Sequence, residues 1–311
     1  MPNTEKKKIK TFQKIILEWF TKNGRHDLPW RQTQNPYRIL VSEVMLQQTQ
    51  VDRVKEKYSV FLKHFSTPKK LAAASPAEVL TVWKGLGYNR RALYLKRAAE
   101  AIIRDHHGRF PRAVLDIEKL PGVGPYTARA VAVFAFNEPH VFIETNIRRV
   151  FIYFFGDVIP PEAIGGIQKK NNYGLDPALR RDDKGRENDI SDKELLPIIE
   201  KALYKKNPRL WYNALMDYGA LALGDIPNPN RRSRHYAKQS RFEGSRRYAR
   251  ASILHYLLKK KATVRELHRF FLSDPHLERY ADTHSITDIL TCLKKEGFLD
   301  VSHDRWSVST K

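Results

Sequence analysis

Apolar residues recur at three- and four-residue spacing along most of this chain, which is the pattern of amphipathic helices. The spacing predicts helices over residues 9–21, 36–65, 76–86, 91–106, 117–120, 126–136, 194–205 and 208–223. The alternation typical of strands is nearly absent before residue 297. The pattern therefore predicts a mainly α protein.

One stretch, about 157–192, interrupts this pattern. It contains Pro160-Pro161, Gly165-Gly166 and Asn171-Asn172, and no period is visible in it. Paired prolines, glycines and asparagines favour turns and loops. We therefore expect an irregular surface insertion here.

Residues 226–250 are strongly basic. Their basic side chains are Arg231, Arg232, Arg234, Lys238, Arg241, Arg246, Arg247 and Arg250, while Glu243 is the only acid. Tyr236, Phe242 and Tyr248 lie between them. A solvated linker would explain the charge alone, but aromatic rings among arginines favour contact with nucleic acid.

The last segment, 251–311, carries three short helical patterns. Alternation over 297–308 around a polar turn follows them and is typical of a hairpin. Together these elements resemble a small winged-helix module, which either binds nucleic acid or packs on the rest of the protein. The predicted organisation is a domain over 1–225, a basic linker over 226–250 and a module over 251–311.

The charge balance points to a polyanionic partner. The chain of 311 residues has 56 Lys and Arg against 34 Asp and Glu, a formal net charge of +22. Basic side chains bind phosphates and release the counterions condensed on them. Nucleic acid is the partner class that this charge favours, although a generally basic protein would also show it.

Cys292 is the only cysteine of the chain. A disulfide framework, a Cys-rich zinc site and a four-thiolate iron–sulfur cluster are therefore excluded, and we expect no metal and no cofactor. No segment approaches the roughly 18 apolar residues of a membrane-spanning helix, and no signal-peptide pattern follows Met1. We expect a cytoplasmic protein with no membrane partner.

Two features point to chemistry on nucleic acid. Pro121-Gly122-Val123-Gly124 forms a tight turn before a helical pattern, and such a turn leaves backbone N–H groups available to a phosphate. Glu144 is a single carboxylate at the end of the apolar run Val141-Phe142-Ile143. A phosphate clamp followed by a half-buried acid indicates an enzyme that grips nucleic acid.

Further motifs stand in register with these two features. They are Leu28-Pro29-Trp30-Arg31, the segment 41–51 around Ser42-Glu43-Val44-Met45-Leu46-Gln47-Gln48, and Gly85-Leu86-Gly87-Tyr88. Taken together, the motifs resemble the helix-hairpin-helix superfamily of DNA glycosylases, and within it the MutY-type adenine DNA glycosylases. The resemblance runs over about 9–155 and 194–223. It implies a two-lobed helix-hairpin-helix glycosylase fold.

The activity implied by the resemblance is base excision repair. A monofunctional DNA glycosylase of this type hydrolyses the N-glycosidic bond of adenine mispaired with 8-oxoguanine or guanine. The implied partner is double-stranded DNA that contains a mispair. We expect a monomer in the cytoplasm, nucleoid-associated if the source is bacterial or archaeal.

The resemblance also implies catalytic roles. Breaking a purine N-glycosidic bond requires an acid that protonates the base and an anion beside the developing oxocarbenium ion. Glu43, whose pKa burial would raise, matches the acid that later helps to activate water. Glu144 matches the carboxylate beside the sugar, and Asn146 matches an asparagine that orients the site. Tyr126 stands where the bifunctional endonuclease III enzymes have a Schiff-base lysine, which implies a glycosylase without lyase activity.

The DNA contacts and the base pocket follow from the same resemblance. Gln48 and Tyr88 match residues that wedge into the duplex when the base is extruded. The N–H groups of Gly122, Val123 and Gly124 would hold a phosphate. Counter-charge would come from Arg148 or Arg149 and from Arg231, Arg232 and Arg234, and the base pocket would include Trp30, Arg31 and Asn213.

Each of these residues also has a structural interpretation. Glu43 could be satisfied by a neighbouring arginine or a helix N-terminus, and Tyr126 could simply pack on the hairpin. Gln48 could be a buried amide and Tyr88 a core tyrosine. The sequence leaves these alternatives open.

The chain departs from the family pattern at several positions. Glu144-Thr145-Asn146 replaces Asp-Gly-Asn, which adds a methylene to the carboxylate and removes easy access to positive φ. Asn213 stands where the family has Gln or Glu, and His26 where it tends to have Arg. The four cluster cysteines and the Nudix-like C-terminal domain that senses 8-oxoguanine are not evident, so the arginine-rich stretch 223–244 is expected to contact DNA by direct charge.

These departures keep two other functions open. One is a glycosylase for thymine or uracil opposite guanine, which Asn213 and Glu144 would favour. The other is a catalytically silent protein that binds mismatches through its clamp and its charge. The presence of a carboxylate at both 43 and 144 argues against the silent protein.

Overall fold

Helices provide most of the regular structure of this protein. The computed structural model describes residues 3–156, 190–236 and 241–310. The helices are α1 (Asn3–Asn23), α2 (Pro36–Leu46), α3 (Val51–His64), α4 (Pro68–Ala73), α5 (Pro76–Trp83), α6 (Arg90–His106), α7 (Val114–Glu118), α8 (Pro125–Phe136), α9 (Thr145–Phe155), α10 (Asp192–Lys201), α11 (Pro208–Asp217), α12 (Arg246–Leu257), α13 (Val264–Leu272) and α14 (Thr283–Lys295). Two strands, β1 (Leu299–Ser302) and β2 (Arg305–Val308), follow. The predicted mainly α fold is confirmed.

The predicted helical stretch 36–65 is two helices rather than one. Its period is broken at Gln48, which has φ +53°, between the end of α2 and the start of α3 at Val51. A left-handed residue cannot continue a right-handed helix. The spacing of apolar residues did not show this break, because both helices bury their apolar faces.

Helix α9 was missed by the sequence analysis. It begins at Thr145, directly after Glu144, and buries Ile147, Val150 and Phe151 on one face. The signal was present, since an acid at the N-cap and apolar residues three and four apart mark a helix start. The predicted insertion at 157–192 lies outside the described residues except at its end, where Asp192 opens α10.

By contacts the chain divides into two units that are discontinuous in sequence. The first unit comprises residues 1–26 and 137–238, and the second unit comprises 27–136 and 239–311. These units cross the predicted boundaries at 225/226 and 250/251, because residues 251–311 group with 27–136. The function of 251–311 as a separate module stays a prediction.

Aromatic residues build the core of the first unit. The Phe12 ring of α1 lies within 4.9–5.5 Å, between centroids, of four rings, those of Phe151, Phe154, Phe155 and Trp211. Edge-to-face pairs of this kind contribute about 0.5–1.5 kcal/mol each beyond the area that they bury. They fix α1 against α9 and α11.

In the second unit α2 is the central helix. It packs against α3 and α8, and its residues from Tyr37 to Met45 are buried except Arg38. The helix begins at Asn35, whose side chain accepts a hydrogen bond from the Arg38 N–H, with Pro36 in the first turn. Ser42 and Glu43 of this helix therefore lie in the protein interior.

The C-terminal residues of the second unit form the predicted elements. Helices α12, α13 and α14 precede the antiparallel pair β1–β2, in which Leu299 faces Val308 and Ser302 faces Arg305. Ala262 adds an antiparallel bridge to Trp306. Three helices and a hairpin agree with the winged-helix pattern expected from the sequence. None of the described helices is both long and apolar enough to cross a membrane.

One ion pair joins Arg25, two residues after the end of α1, to the last residue of α11 within the first unit. The Asp217 carboxylate is fully buried and accepts hydrogen bonds from the Arg25 backbone N–H (2.7 Å) and from Nε (2.8 Å) and Nη2 (2.5 Å) of the Arg25 side chain. We expect Asp217→Ala to lower the free energy of unfolding by about 3 kcal/mol, because it leaves a partly buried guanidinium without its carboxylate. Urea unfolding measures this loss.

The exposed pair Lys14–Glu18 on α1 is the matched control. Glu18→Ala should change the free energy of unfolding by less than about 0.5 kcal/mol, since exposed ion pairs contribute little. Equal losses in the two variants would contradict the structural role of Asp217.

Candidate active site

Glu43 and Tyr126 meet in the second unit. Glu43 lies on α2 with a relative exposure of 7%, and the Tyr126 hydroxyl in the first turn of α8 donates a hydrogen bond to Glu43 Oε2 at 3.3 Å. The two residues are 83 positions apart and are brought together because α2 packs on α8. Two of the four predicted catalytic residues are therefore in contact.

The pairing limits what Tyr126 can do chemically. A phenol holds and orients a carboxyl group, but it has no amine that could attack a sugar to form an imine. Tyr126 also packs at the hairpin end of α8, so its structural and functional interpretations are compatible. The sequence left open an arginine or a helix N-terminus as the partner of Glu43. In the structure the Tyr126 hydroxyl is one of its partners.

The hairpin before α8 depends on Gly122. Its φ is +78°, and a Cβ added there would lie 2.5 Å from Cβ of Tyr94. Only glycine satisfies both conditions. At Gly124 an added Cβ would meet no atom within 4 Å, so this side of the hairpin is open to the close approach of a ligand.

The predicted use of the hairpin N–H groups needs one correction. The Val123 N–H donates to the Leu120 carbonyl at 3.0 Å and closes the turn, and the Val123 residue is buried. In the described part of the chain, the Gly122 and Gly124 N–H groups donate to no backbone carbonyl. Gly122 and Gly124 are thus the hairpin groups that retain the predicted capacity to bind a phosphate.

Both predicted wedge residues have a left-handed backbone conformation. Gln48 (φ +53°) lies in the loop between α2 and α3 and is exposed, so it is not a buried amide. Tyr88 (φ +47°) follows Gly87 (φ +69°) in the loop before α6 and is half-buried. Left-handed conformations of residues other than glycine cost about 1–2 kcal/mol and persist where the surroundings impose them.

Arg91 imposes the conformation of both loops. This residue of α6 is 9% exposed, and burial lowers its pKa to about 10. Because this pKa is still well above neutral pH, the guanidinium remains charged. Its two Nη atoms donate to oxygen atoms of both loops. The acceptors are the carbonyls of Val44 (2.9 Å), Met45 (2.9 Å), Gln47, Leu86 (3.0 Å) and Gly87 (3.1 Å) and the Thr49 hydroxyl (3.0 Å).

Three of these carbonyls are those of Val44, Met45 and Gln47 at the C-terminal end of α2, which also carries Glu43. A cation at this position satisfies carbonyls that have no partner within the helix and interacts favourably with its dipole. Sequence reasoning missed Arg91. The available signal was an arginine on the apolar side of α6, among the buried Ala92, Leu95 and Ala98.

In the first unit, Glu144 is the N-cap of α9. Its Oε1 accepts from the backbone N–H groups of Asn146 (2.8 Å) and Ile147 (2.9 Å), and its Oε2 accepts from Asn146 Nδ2 (3.3 Å). Burial raises the pKa of Glu144, and this outweighs the opposing hydrogen bonds from Asn146 and Ile147 and the charges of Arg148 and Arg149. The extra methylene is accommodated by folding the carboxylate back onto its own helix.

Thr145 therefore presents no difficulty. It is the first helical residue of α9 and does not have positive φ. Asn146 is held from two sides, because its side chain donates to Glu144 and its backbone lies against Gly219. A Cβ at Gly219 would come within 2.4 Å of the Asn146 carbonyl oxygen.

The arginines predicted to supply counter-charge are used within the first unit. Arg148 pairs in a bidentate manner with Asp192 (2.7 and 2.8 Å). Arg149 donates to the Gly219 carbonyl (2.8 Å) and to Asn228 Oδ1 (3.2 Å). Their contact with DNA stays a prediction that these contacts do not favour.

The basic segment after α11 is divided in the same way. Arg232 donates to the Gly156 carbonyl at 3.3 Å and is half-buried, whereas Arg231 and Arg234 are exposed. Asn230 anchors the segment by donating to the Thr145 carbonyl at 2.9 Å. Arg231 and Arg234 are therefore the members of this group whose side chains face solvent.

The predicted base-pocket residues lie in different units. Trp30 is 9% exposed and packs edge-to-face on Tyr58 with 5.6 Å between ring centroids, and Arg31 is half-buried beside it in sequence. Asn213 is half-buried on α11 of the first unit. His26 is exposed, and its ring lies 3.0 Å from the Phe20 carbonyl oxygen.

The donor set does not fit an iron–sulfur cluster. The four-thiolate cluster of the family cannot be bound by a chain whose single thiol is Cys292, a residue of α14. Within the described ranges, no group of three or more His, Cys, Asp or Glu side chains is arranged to hold a metal ion.

Comparison with known proteins identifies the family of this hairpin and its surroundings. Residues 41–159, which include Glu43, Arg91, the hairpin and Glu144, match the model of the HhH-GPD superfamily of base excision DNA repair proteins. The chain carries an HhH-GPD superfamily domain. The predicted helix-hairpin-helix glycosylase fold is thereby confirmed.

Similar proteins extend the match beyond this domain. Adenine DNA glycosylase of Mycobacterium tuberculosis (strain CDC 1551 / Oshkosh) is 46% identical over 136 residues, 43% of this chain and 44% of that protein. Adenine DNA glycosylase of Buchnera aphidicola subsp. Acyrthosiphon pisum is 34% identical over 209 residues, 67% of this chain and 53% of that protein. The chain thus spans about half the length of these curated relatives.

A solved structure gives a similar result for the fold. A thermostable thymine-DNA glycosylase is 29% identical, with a TM-score of 0.56, over 71% of this chain and 91% of that chain. This likeness covers more of the chain than the family match over residues 41–159 does.

Arg91 provides the first test of the site. We expect Arg91→Lys to lower the free energy of unfolding by about 3 kcal/mol, because one ammonium group cannot replace a fork that satisfies two loops. Urea unfolding gives this value. Arg97→Lys on the exposed part of the same helix is the matched control, and a comparable loss there would contradict the role assigned to Arg91.

Glu144 provides a test that depends on pH. A raised folded-state pKa means that the unfolded chain releases its proton first, above about the ordinary value of 4.5. The free energy of unfolding of the parent protein should therefore fall, relative to that of Glu144→Gln, as pH rises from 4.5 through the raised pKa. Urea unfolding of both proteins from pH 4 to 8 measures the difference, and a difference independent of pH would contradict the raised pKa.

Proposed function

We propose that this protein is a monofunctional DNA glycosylase of base excision repair that removes adenine mispaired with 8-oxoguanine or guanine. The observation that carries the proposal is the contact between Glu43 and Tyr126 inside an HhH-GPD domain. It combines a buried carboxyl group with an orienting hydroxyl, and the side chain at position 126 has no amine that could act as a nucleophile. The adenine DNA glycosylases among its relatives support adenine as the base.

Glu43 acts as the general acid in this proposal. Its carboxyl proton passes to a ring nitrogen of adenine as the N-glycosidic bond breaks, so the base leaves neutral and the sugar becomes an oxocarbenium ion. Water then attacks the anomeric carbon, and the Glu43 carboxylate takes the proton that the water loses. The Tyr126 hydroxyl holds Glu43 in one orientation through both steps.

Glu144 supplies negative charge for the sugar, a role that comes from the family resemblance. Its carboxylate is fixed by two backbone N–H groups and by Asn146 and therefore needs no reorganisation during the reaction. The product is an abasic site in an intact strand, because Tyr126 cannot form the imine that precedes strand cleavage.

The remaining elements would bind DNA without a cofactor. We assign phosphate contacts to Gly122 and Gly124 and to the exposed Arg231 and Arg234, in place of an iron–sulfur cluster that the chain cannot ligate. We propose that the protein acts as a monomer on double-stranded DNA that contains a mispair. Such a substrate places it in the cytoplasm, associated with the nucleoid if the source is bacterial or archaeal.

A second candidate function is excision of thymine or uracil opposite guanine. The likeness to the thermostable thymine-DNA glycosylase favours it, as do Asn213 and the longer carboxylate of Glu144. The mechanism would differ, since a pyrimidine leaving group is stabilised at its carbonyl oxygen. A catalytically silent protein that binds mismatches is the third candidate. The carboxyl groups of Glu43 and Glu144, each fixed by hydrogen bonds, argue against it.

A panel of duplexes with single mispairs tests the proposal. Purified protein is incubated with adenine opposite 8-oxoguanine, adenine opposite guanine, thymine opposite guanine and uracil opposite guanine, and the strands are then treated with alkali. We expect breaks at adenine only after alkali. Breaks at thymine or uracil alone would establish the second candidate, and binding without any break would establish the third.

Substitution at Glu43 tests the mechanism. Loss of a general acid costs about 10²–10⁴-fold in rate, so Glu43→Gln should slow single-turnover excision of adenine by this factor while the protein still binds the duplex. Glu118→Gln, outside the site, is the control for removal of one charge. Excision by Glu43→Gln at the parent rate would refute the assigned role.

A further inference from the structure

The side chain of Tyr88 lies between two arginines from distant parts of the second unit. The guanidinium carbon of Arg91 is 5.4 Å from the centroid of the ring, and that of Arg247 is 5.5 Å from it. Arg247 Nη1 also donates a hydrogen bond to the Tyr88 hydroxyl. The ring is therefore held by two cation–π contacts and at its polar end.

The backbone of Tyr88 needs this support. Three residues of its loop, Gly85, Gly87 and Tyr88, have positive φ, and Tyr88 is the one with a side chain. Arg91 and Trp83 Nε1 fix the loop through the Gly87 carbonyl, at 3.1 and 3.0 Å. These contacts hold the main chain, whereas Arg247 is the residue that holds the hydroxyl end of the side chain.

Arg247 is itself well anchored. It lies in the first turn of α12, and Arg250, one turn later, pairs with Glu296 at 2.7 Å. Glu296 also pairs with Arg90 at 2.6 Å, and Arg90 is the first residue of α6, two positions after Tyr88. One carboxylate thus ties α12 to the helix that follows the Tyr88 loop.

We propose that Arg247 is a positioning residue that holds Tyr88 in the orientation in which it enters the duplex, so that the C-terminal residues 239–311 take part in base extrusion. The inference rests on the proposed function, because it takes Tyr88 as the wedge. It also bears on the two uses that the sequence left open for 251–311, because Glu296 of this segment anchors α12, the helix that carries Arg247. These residues act on DNA through the wedge loop on which they pack.

Direct binding of Arg247 to a phosphate is the competing explanation. Two features argue against it. The guanidinium is half-buried, and it is engaged both with the ring face and with the hydroxyl of the same tyrosine. If Arg247 acts through Tyr88, the effect of its substitution depends on the Tyr88 hydroxyl. If Arg247 binds a phosphate directly, its substitution changes the salt dependence of DNA binding.

A double-mutant cycle separates the two explanations. Arg247→Ala, Tyr88→Phe and the double variant are made in a Glu43→Gln background, so that extrusion is observed without base removal. The readout is the fluorescence rise of 2-aminopurine placed next to the mispaired adenine. We expect Tyr88→Phe to reduce the rate of this rise about 10-fold, and Arg247→Ala to reduce it at least as much, because it removes the contact with the ring as well. The double change should reduce the rate no further than Arg247→Ala alone, because both changes break the same hydrogen bond.

Further measurements exclude indirect effects. Arg247→Lys should restore part of the rate, since an ammonium can still donate to the hydroxyl and lie over the ring. Arg279→Ala is the matched control, because Arg279 makes the same pair of contacts with the half-buried Tyr280, outside the proposed site. Thermal unfolding of each variant shows that the fold is kept.

The outcomes overturn different statements. The positioning role would be overturned if the losses were additive, about 100-fold in the double variant. It would also be overturned if Arg247→Ala weakened the salt dependence of DNA binding by about one phosphate contact. Either result would leave the glycosylase function intact. No fluorescence rise with the parent background would overturn the wedge and, with it, this inference. Loss of adenine excision in the mispair panel while the cycle stays non-additive would overturn only the proposed substrate.

Discussion

The buried guanidinium of Arg91 is the interaction on which the second unit depends. Six oxygen atoms converge on its two Nη atoms, and they come from the end of α2, from the loop between α2 and α3 and from the loop before α6. A neutral side chain could not satisfy so many carbonyls, and a lysine has neither the reach nor the planar fork. Because α2 carries Glu43, the same cation fixes the acid and both loops that are proposed to enter DNA.

In the first unit, the corresponding constraint is the one that holds the Glu144 carboxylate in place. Glu144 is restrained by the N–H groups that begin α9, and the aromatic contacts of Phe12 hold α9 in turn. Burial opposes the charge while the hydrogen bonds favour it, and the net result is a raised pKa. Such tension between desolvation and hydrogen bonding is common where a group serves chemistry rather than stability.

The C-terminal residues of the second unit add a further restraint, because they contact the side chain of Tyr88 in the loop before α6. A small helical module with a hairpin could bind DNA by itself, but here Arg247 of α12 contacts Tyr88 in the loop before α6, and Glu296 pairs with Arg90 at the start of α6. The module therefore gives rigidity to a strained loop. This offers a physical reason for a chain without cluster cysteines to keep an arginine-rich connection after α11.

Much of the site could be predicted from residue types at fixed spacing. The hairpin, Glu43, Tyr126 and the winged-helix pattern are local in sequence, and each has a composition that few other structures require. The limits of that approach appear at Gln48, where a left-handed residue divides a helical period, and at Val123, whose N–H closes the turn. Neither depends on side-chain type, so composition carries no signal for them.

The sequence by itself determined the helical fold, the glycine-dependent hairpin, the lack of thiolate ligands and the charge that favours DNA. These follow from periodicity and composition, which act over a few residues or over the whole chain. Only the tertiary structure decided which groups meet across the sequence, as in Glu43 with Tyr126 and Tyr88 with Arg91 and Arg247. Such pairs are separated by up to 159 positions, and their contact depends on how helices pack, which no local pattern encodes.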